Sequence, residues 1–130
     1  MYIAIDNSDL DKVILYYQDQ DKEAWQKREF ARSVGSLLEI IDKLVKEFDG
    51  KVKGLAVVLG KGRFTATRVA TTAANTLGFA WQIPVVGVVA ETHWEEVAQL
   101  IKKTPVGHYI IPAYSSAARI GTKSIKSKVG

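Results

Sequence analysis

Two short polar segments of this sequence have residue types suited to chemistry. Asp6-Asn7-Ser8-Asp9 follows one apolar run, and Gly60-Lys61-Gly62-Arg63 follows another. A glycine-rich basic loop that opens onto a helix leaves backbone N–H groups unpaired, which suits an anion. Gly60, Lys61, Gly62 and Arg63 are candidate anion contacts on that ground, although the glycines also serve a tight turn. The loop is not a Walker A motif, because Leu55 stands where the first glycine is required and Gly62 follows Lys61 in place of Ser or Thr. Two-metal hydrolysis needs several carboxylates converging on one point. Asp6, Glu39 and Glu47 are the acids to consider, but the apolar run before the glycine loop ends in Leu59-Gly60 and offers none there. The histidines, His93 and His108, lack the HExxH spacing of a metallopeptidase and read as surface or helix-start residues. There is no cysteine, and no serine sits in a GxSxG elbow. The residue types therefore favour binding over catalysis.

The elements that must position these groups follow from hydrophobic period. Tyr2 to Ile5 is a short strand before the polar turn, and Lys12 to Tyr17 is apolar on both faces, as in a buried strand. A more polar third strand is expected over Glu23 to Phe30, so the chain opens as an antiparallel meander. The period then becomes helical, with Val34, Leu37, Leu38, Ile41, Leu44, Val45 and Phe48 in register. Ser36 and Glu39 have capping-box spacing, and Asp49-Gly50 supplies the stop. Leu55 to Leu59 reads as a buried strand, Phe64 to about Ala80 as a second helix, and Val85 to Val89 as a further strand. The second helix has a stripe of small residues, Ala66, Ala70, Ala73 and Ala74, with Leu77. Thr92 and Glu95 are a second candidate capping box, opening a helix with Trp94, Val97, Ala98 and Ile101 inward. A last strand is expected at Tyr109 to Ile111. A meander followed by strand–helix crossovers predicts an α/β fold with a mixed sheet, as in ribonuclease-H-like domains.

Composition narrows the class. The chain of 130 residues has the size of one domain, expected over 1–113, with 114–130 a basic, flexible tail. The net charge of +4 resides in Arg119, Lys123, Lys126 and Lys128, and the rest of the chain balances acid against base. That pattern argues against a nucleic-acid-binding body, and a short basic tail is more often a solvated end than an arm for nucleic-acid phosphates. With no long apolar run, no leader-like start and no cysteine, a cytoplasmic protein without membrane contact is expected.

Three segments resemble the N-terminal lobe of the TsaB (YeaZ) family, within the glycoprotease-like group. They are Ala4 to Ser8 (AIDNS), the helix after ARS, and Gly54 to Val88, GLAVVLGKGRFTATRVATTAANTLGFAWQIPVVGV. Gly60, Gly62, Phe64, Thr65 and Arg68 match the family's loop, and Ile83, Pro84, Val86, Gly87 and Val88 match its next strand. Lys61 and Arg63 depart from it, Ala66 and Ala70 replace two glycines, and the second lobe is missing. The resemblance implies one ribonuclease-H-like lobe of the actin-like ATPase superfamily. It also implies a non-catalytic partner of a TsaD-like protein in forming N6-threonylcarbamoyladenosine at position 37 of tRNA, in company with a TsaE-like ATPase. The implied interface is Val34, Leu37, Leu38, Ile41 and Val45 on the first helix with Ala66, Ala70, Ala73 and Leu77 on the second. The alternative is that these side chains only cover the sheet. A homodimer would use the same surface. No cofactor is expected, unless Asp6 and Ser8 meet ATP or ADP at an interface with a partner, or merely form an Asx turn. The rivals to the partner role are a metal-dependent nuclease or phosphohydrolase of the same fold and a self-associating domain outside the tRNA pathway.

Overall fold

The computed structural model describes residues 1–20, 23–48, 51–60, 62 and 64–111. Among these, β1 (Tyr2–Asp6), β2 (Lys12–Gln18) and β3 (Gln26–Ala31) form the meander. A 3-10 turn (Arg32–Val34) leads to α1 (Leu37–Phe48), followed by β4 (Gly54–Leu59), α2 (Phe64–Trp81), β5 (Val85–Val89) and α3 (Trp94–Lys103). The sheet order is β3-β2-β1-β4-β5, antiparallel at β1–β2 and β2–β3 and parallel at β1–β4 and β4–β5. This is the ribonuclease-H-like arrangement that the order of elements predicts.

The period of two along the strands divides the core by face. Ile3, Ile5, Val13, Leu15, Leu55, Val57 and Val85 point to the side covered by α1 and α2, where they meet Ile40, Ile41, Leu44, Ala70 and Ala74. Tyr2, Ala4, Ala56 and Val88 point to the other side, where α3 brings Val97 and Ile101. There Tyr16, Trp94 and Trp25 form a run of rings with centroids 4.5 Å and 4.9 Å apart, covering sheet that one helix cannot reach. Gly78 lets α2 lie against the start of β5, since a Cβ there would come within 2.3 Å of Val85 Cγ2.

Helix α1 starts on the expected capping box. The Glu39 N–H donates to Ser36 Oγ at 3.2 Å, and the Ser36 N–H donates to Glu39 Oε1 at 2.7 Å. That bond holds the Glu39 carboxyl below the usual carboxylate range. At its far end α1 is tied to β3 by a two-pronged pair, Arg28 Nη1 and Nη2 to Glu47 Oε1 and Oε2 at 2.8 Å and 2.7 Å. This pairing lowers the Glu47 carboxyl in turn.

Three local expectations are corrected. The third strand begins at Gln26 rather than Glu23, because Trp25 turns aside to stack on Trp94. Helix α3 opens one residue later than Thr92 and Glu95 imply, with the His93 N–H donating to Glu96 Oε1 at 3.3 Å. Tyr109 to Ile111 is not a strand. The Ile110 N–H donates to Asn75 Oδ1 at 2.9 Å, and Asn75 Nδ2 donates to the Ile110 carbonyl at 2.8 Å. A side-chain amide of α2 thus takes both backbone groups that a neighbouring strand would have used. The stop at Asp49-Gly50 and the tail residues Arg119, Lys123, Lys126 and Lys128 lie outside the described residues. No described helix is long and apolar enough to cross a membrane.

Candidate functional site: the outer groove of the first two helices

Helices α1 and α2 lie side by side over the sheet, and a groove of about 530 Å³ runs between their outer faces. Its walls are Ser36, Leu37 and Leu38 from α1 and its cap, and Thr65, Arg68, Val69, Thr72, Ala73 and Thr76 from α2. Leu38 is 44% exposed and Val69 49%. Over its whole length α2 has one charged residue, Arg68. A helix surface facing water ordinarily carries charge, and the centres of protein–protein contacts are depleted in it. The outward row of α2, Thr65, Val69, Thr72 and Thr76, offers methyl groups and short hydroxyls in its place.

The expected interface residues divide into three groups. Val34 and Leu38 are exposed. Leu37, Val45 and Leu77 are half-buried along the edge of the core, and Ala73 lines the groove although little of it is open. Ile41, Ala66 and Ala70 are buried inside the chain. For these three the alternative reading holds: they cover the sheet and have no surface left for a second polypeptide. The alanine stripe reads as a place of close approach, and the sheet is what approaches it. Val69, Arg68 and the threonine row were not among the expected contacts. The signal for them is present in the sequence, since Thr65, Val69, Thr72 and Thr76 recur at helical spacing in a segment nearly devoid of charge.

The second candidate region is the turn after β1. Asp6 is buried, and its Oδ1 accepts the Ser8 backbone N–H at 3.0 Å and the Ser8 hydroxyl as well, which is an Asx turn. The loop after β4 lies against it. Gly60 and Gly62 take φ of +73° and +76°, the left-handed region that favours glycine. A Cβ on Gly62 would come within 2.8 Å of the Ser8 backbone. The fold therefore brings Ser8 and Gly62 together, while Lys61 and Arg63 lie outside the described residues. Sequence reasoning missed what anchors this turn. The Arg32 guanidinium donates to Asn7 Oδ1 at 2.8 Å, to the Asn7 carbonyl at 3.0 Å and to the Leu10 carbonyl at 3.1 Å, and also to the Asp9 carbonyl. Asn7 Nδ2 passes the tie on to the Ala66 carbonyl of α2 at 2.9 Å.

The acids weighed for metal chemistry are apart. Glu39 caps α1 and Glu47 pairs with Arg28, and among the described residues no three His, Asp or Glu gather to hold a metal. His93 and His108 are exposed, His93 at the start of α3.

A family model described as TsaD, tRNA N6-adenosine threonylcarbamoyltransferase, matches residues 31–111. The curated proteins gave no match. Among solved structures, YeaZ from Pseudomonas aeruginosa is 23% identical with a TM-score of 0.56, over 68% of this chain and 43% of that one. A second structure, of an uncharacterized protein with similarity to peptidase YeaZ from Pseudomonas aeruginosa, is 23% identical with a TM-score of 0.54, over 68% of this chain and 42% of that one. The chain spans less than half the length of either, and likeness at this identity concerns the fold. It agrees with the YeaZ-like lobe implied by AIDNS and by Gly54 to Val88. The family match takes in the groove itself, from the end of β3 through α1, β4, α2, β5 and α3, and on that match the chain belongs to the TsaD family.

Proposed function

We propose that this chain is a non-catalytic partner subunit that docks a TsaD-like protein and supports threonylcarbamoyl transfer to adenosine in tRNA. The observation that carries the reading is the partly apolar groove between α1 and α2, in which Leu38 and Val69 stand open to water beside Arg68. Membership of the TsaD family and the YeaZ-like fold support the pathway. The chain's contribution is to bury helices of the partner and hold the partner's active site in its working shape. On this reading ATP or ADP meets Asp6, Ser8 and the Gly60–Gly62 loop only where a partner supplies a second wall, and the basic tail adds a salt-sensitive contact to tRNA. A TsaE-like ATPase joins the same assembly.

The test is co-purification of the full chain with the TsaD-like protein of the same genome. Leu38→Asp and Val69→Asp should each abolish pairing while leaving the melting temperature unchanged. Retained pairing in both variants would refute the groove as the docking face. A second copy of this chain is the other occupant the groove admits. Sedimentation showing a tight homodimer that the TsaD-like protein does not displace would favour that reading.

A further inference from the structure

Resting on the groove as the docking face, we infer that the partner's docking helix presents an aspartate or glutamate to Arg68. Among the described residues, Arg68 is the one charged side chain lining the groove. Its guanidinium lies over the Phe64 ring, 5.5 Å from the centroid, which holds it beside the first turns of α2. No carboxylate of this chain neutralises it among the described residues. Asp42 pairs with Lys46, Glu47 with Arg28, and Glu39 is engaged with Ser36. The first turn of α2 has no acidic residue, so the positive end of the helix dipole adds to the charge of the guanidinium.

Closing a partner over the groove removes this charge from water. A buried guanidinium left without a counter-charge is strongly destabilising, so a tight complex requires the partner to bring an anion. The planar fork of Arg suits a two-pronged carboxylate. A tRNA phosphate is the other anion available. Phosphate-binding surfaces, however, gather several cations, and among the described residues the groove has Arg68 alone, beside Leu38, Val69, Thr72 and Thr76. The surroundings fit an apolar helix with one acid.

The experiment measures the dissociation constant of the full chain for the TsaD-like protein of the same genome, by titration calorimetry at low and high salt. Arg68→Glu should weaken binding about 30-fold or more, as for a close interfacial charge pair, and Arg68→Gln should weaken it less and flatten the salt dependence. An acid-to-arginine change on the partner's docking helix should restore binding to Arg68→Glu. Arg68 is exposed, so the melting temperatures of these variants serve as a check that the fold is kept. If Arg68→Glu and Arg68→Gln bind like the native chain while Leu38→Asp does not bind, the ion pair is refuted and the docking face stands. If Leu38→Asp also binds normally, the docking face falls and the ion pair with it. Loss of tRNA from the assembly with unchanged protein pairing would assign Arg68 to phosphate and overturn the inference.

Discussion

The two faces of the sheet are covered by opposite means. On one, α3 lies alone, with Glu95, Glu96, Gln99, Lys102 and Lys103 turned to water and the Tyr16, Trp94 and Trp25 rings covering the sheet beside it. On the other, two helices complete the cover, yet the outward row of α2 is threonine and valine with one arginine. On the first face the acids sit at the start of α3 and the bases at its end, where each complements the helix dipole. On the second the charges sit on α1, at Glu39, Asp42, Lys43, Lys46 and Glu47, and the outer row of α2 beside them has only Arg68. An amphipathic helix is thus defined as much by what its far side lacks as by what its near side buries. By that measure the outer side of α3 is charged and that of α2 is nearly free of charge.

The largest effects should separate the core side of α1 from its groove side. Leu44 is fully buried, and Leu44→Ala should cost about 2–5 kcal/mol in denaturant unfolding, as for a large core truncation. Leu38→Asp, also on α1, should change stability by no more than about 0.5 kcal/mol, the usual range for exposed positions. It should nevertheless remove docking, whereas Leu100→Asp on the outer side of α3 should leave docking intact. If Leu100→Asp is as damaging as Leu38→Asp, the contrast between the faces is broken.

A smaller loss is expected at the turn that braces α2. Arg32→Ala leaves the carbonyls of Asn7, Asp9 and Leu10 without their charged donor and should cost about 1.5–3 kcal/mol, checked by thermal melting. Smaller again is the α1 cap, where Ser36→Ala should cost about 1 kcal/mol. Replacing Glu96 by Gln on α3 should cost less than this, since its bond to the His93 N–H is longer. The smallest effect concerns acid. The Glu47 carboxyl is lowered chiefly by its hydrogen bonds from Arg28, so its contribution is present above the ordinary carboxylate range and is lost as pH falls through its lowered value. The melting temperatures of the native chain and Glu47→Gln should differ near neutrality and converge on acidification.

What was legible in the sequence was local. The capping box at Ser36 and Glu39, the meander and the strand–helix alternation all follow from spacing within a few residues, and the structure has them. The start of α3 was misread by one residue because Glu95 and Glu96 are adjacent and period alone cannot choose between them. The clamp of Arg32 on Asn7 left no trace, because it joins residues 25 apart through side chain and carbonyl rather than through any repeat. The alanines of α2 were legible as sites of close approach but not as to what approaches, and Ala66 and Ala70 went to the interior for that reason, as did Ile41 on α1. The groove could have been found by asking where charge is missing, a question that hydrophobic period does not pose.

The placement of Tyr2–Asp6 at the middle of the sheet also governs the order of assembly. On one side it pairs with β2, which follows after a short turn, so this edge can zip from contacts close along the chain. On the other it waits for Gly54–Leu59, which arrives only after α1 has been passed, and a loop of that length must be closed before any bond rewards it. Refolding is therefore expected to run at two tempos, a rapid meander and a slower capture of β4. The surface of α2, which packs on β4 and β5, takes shape in the second.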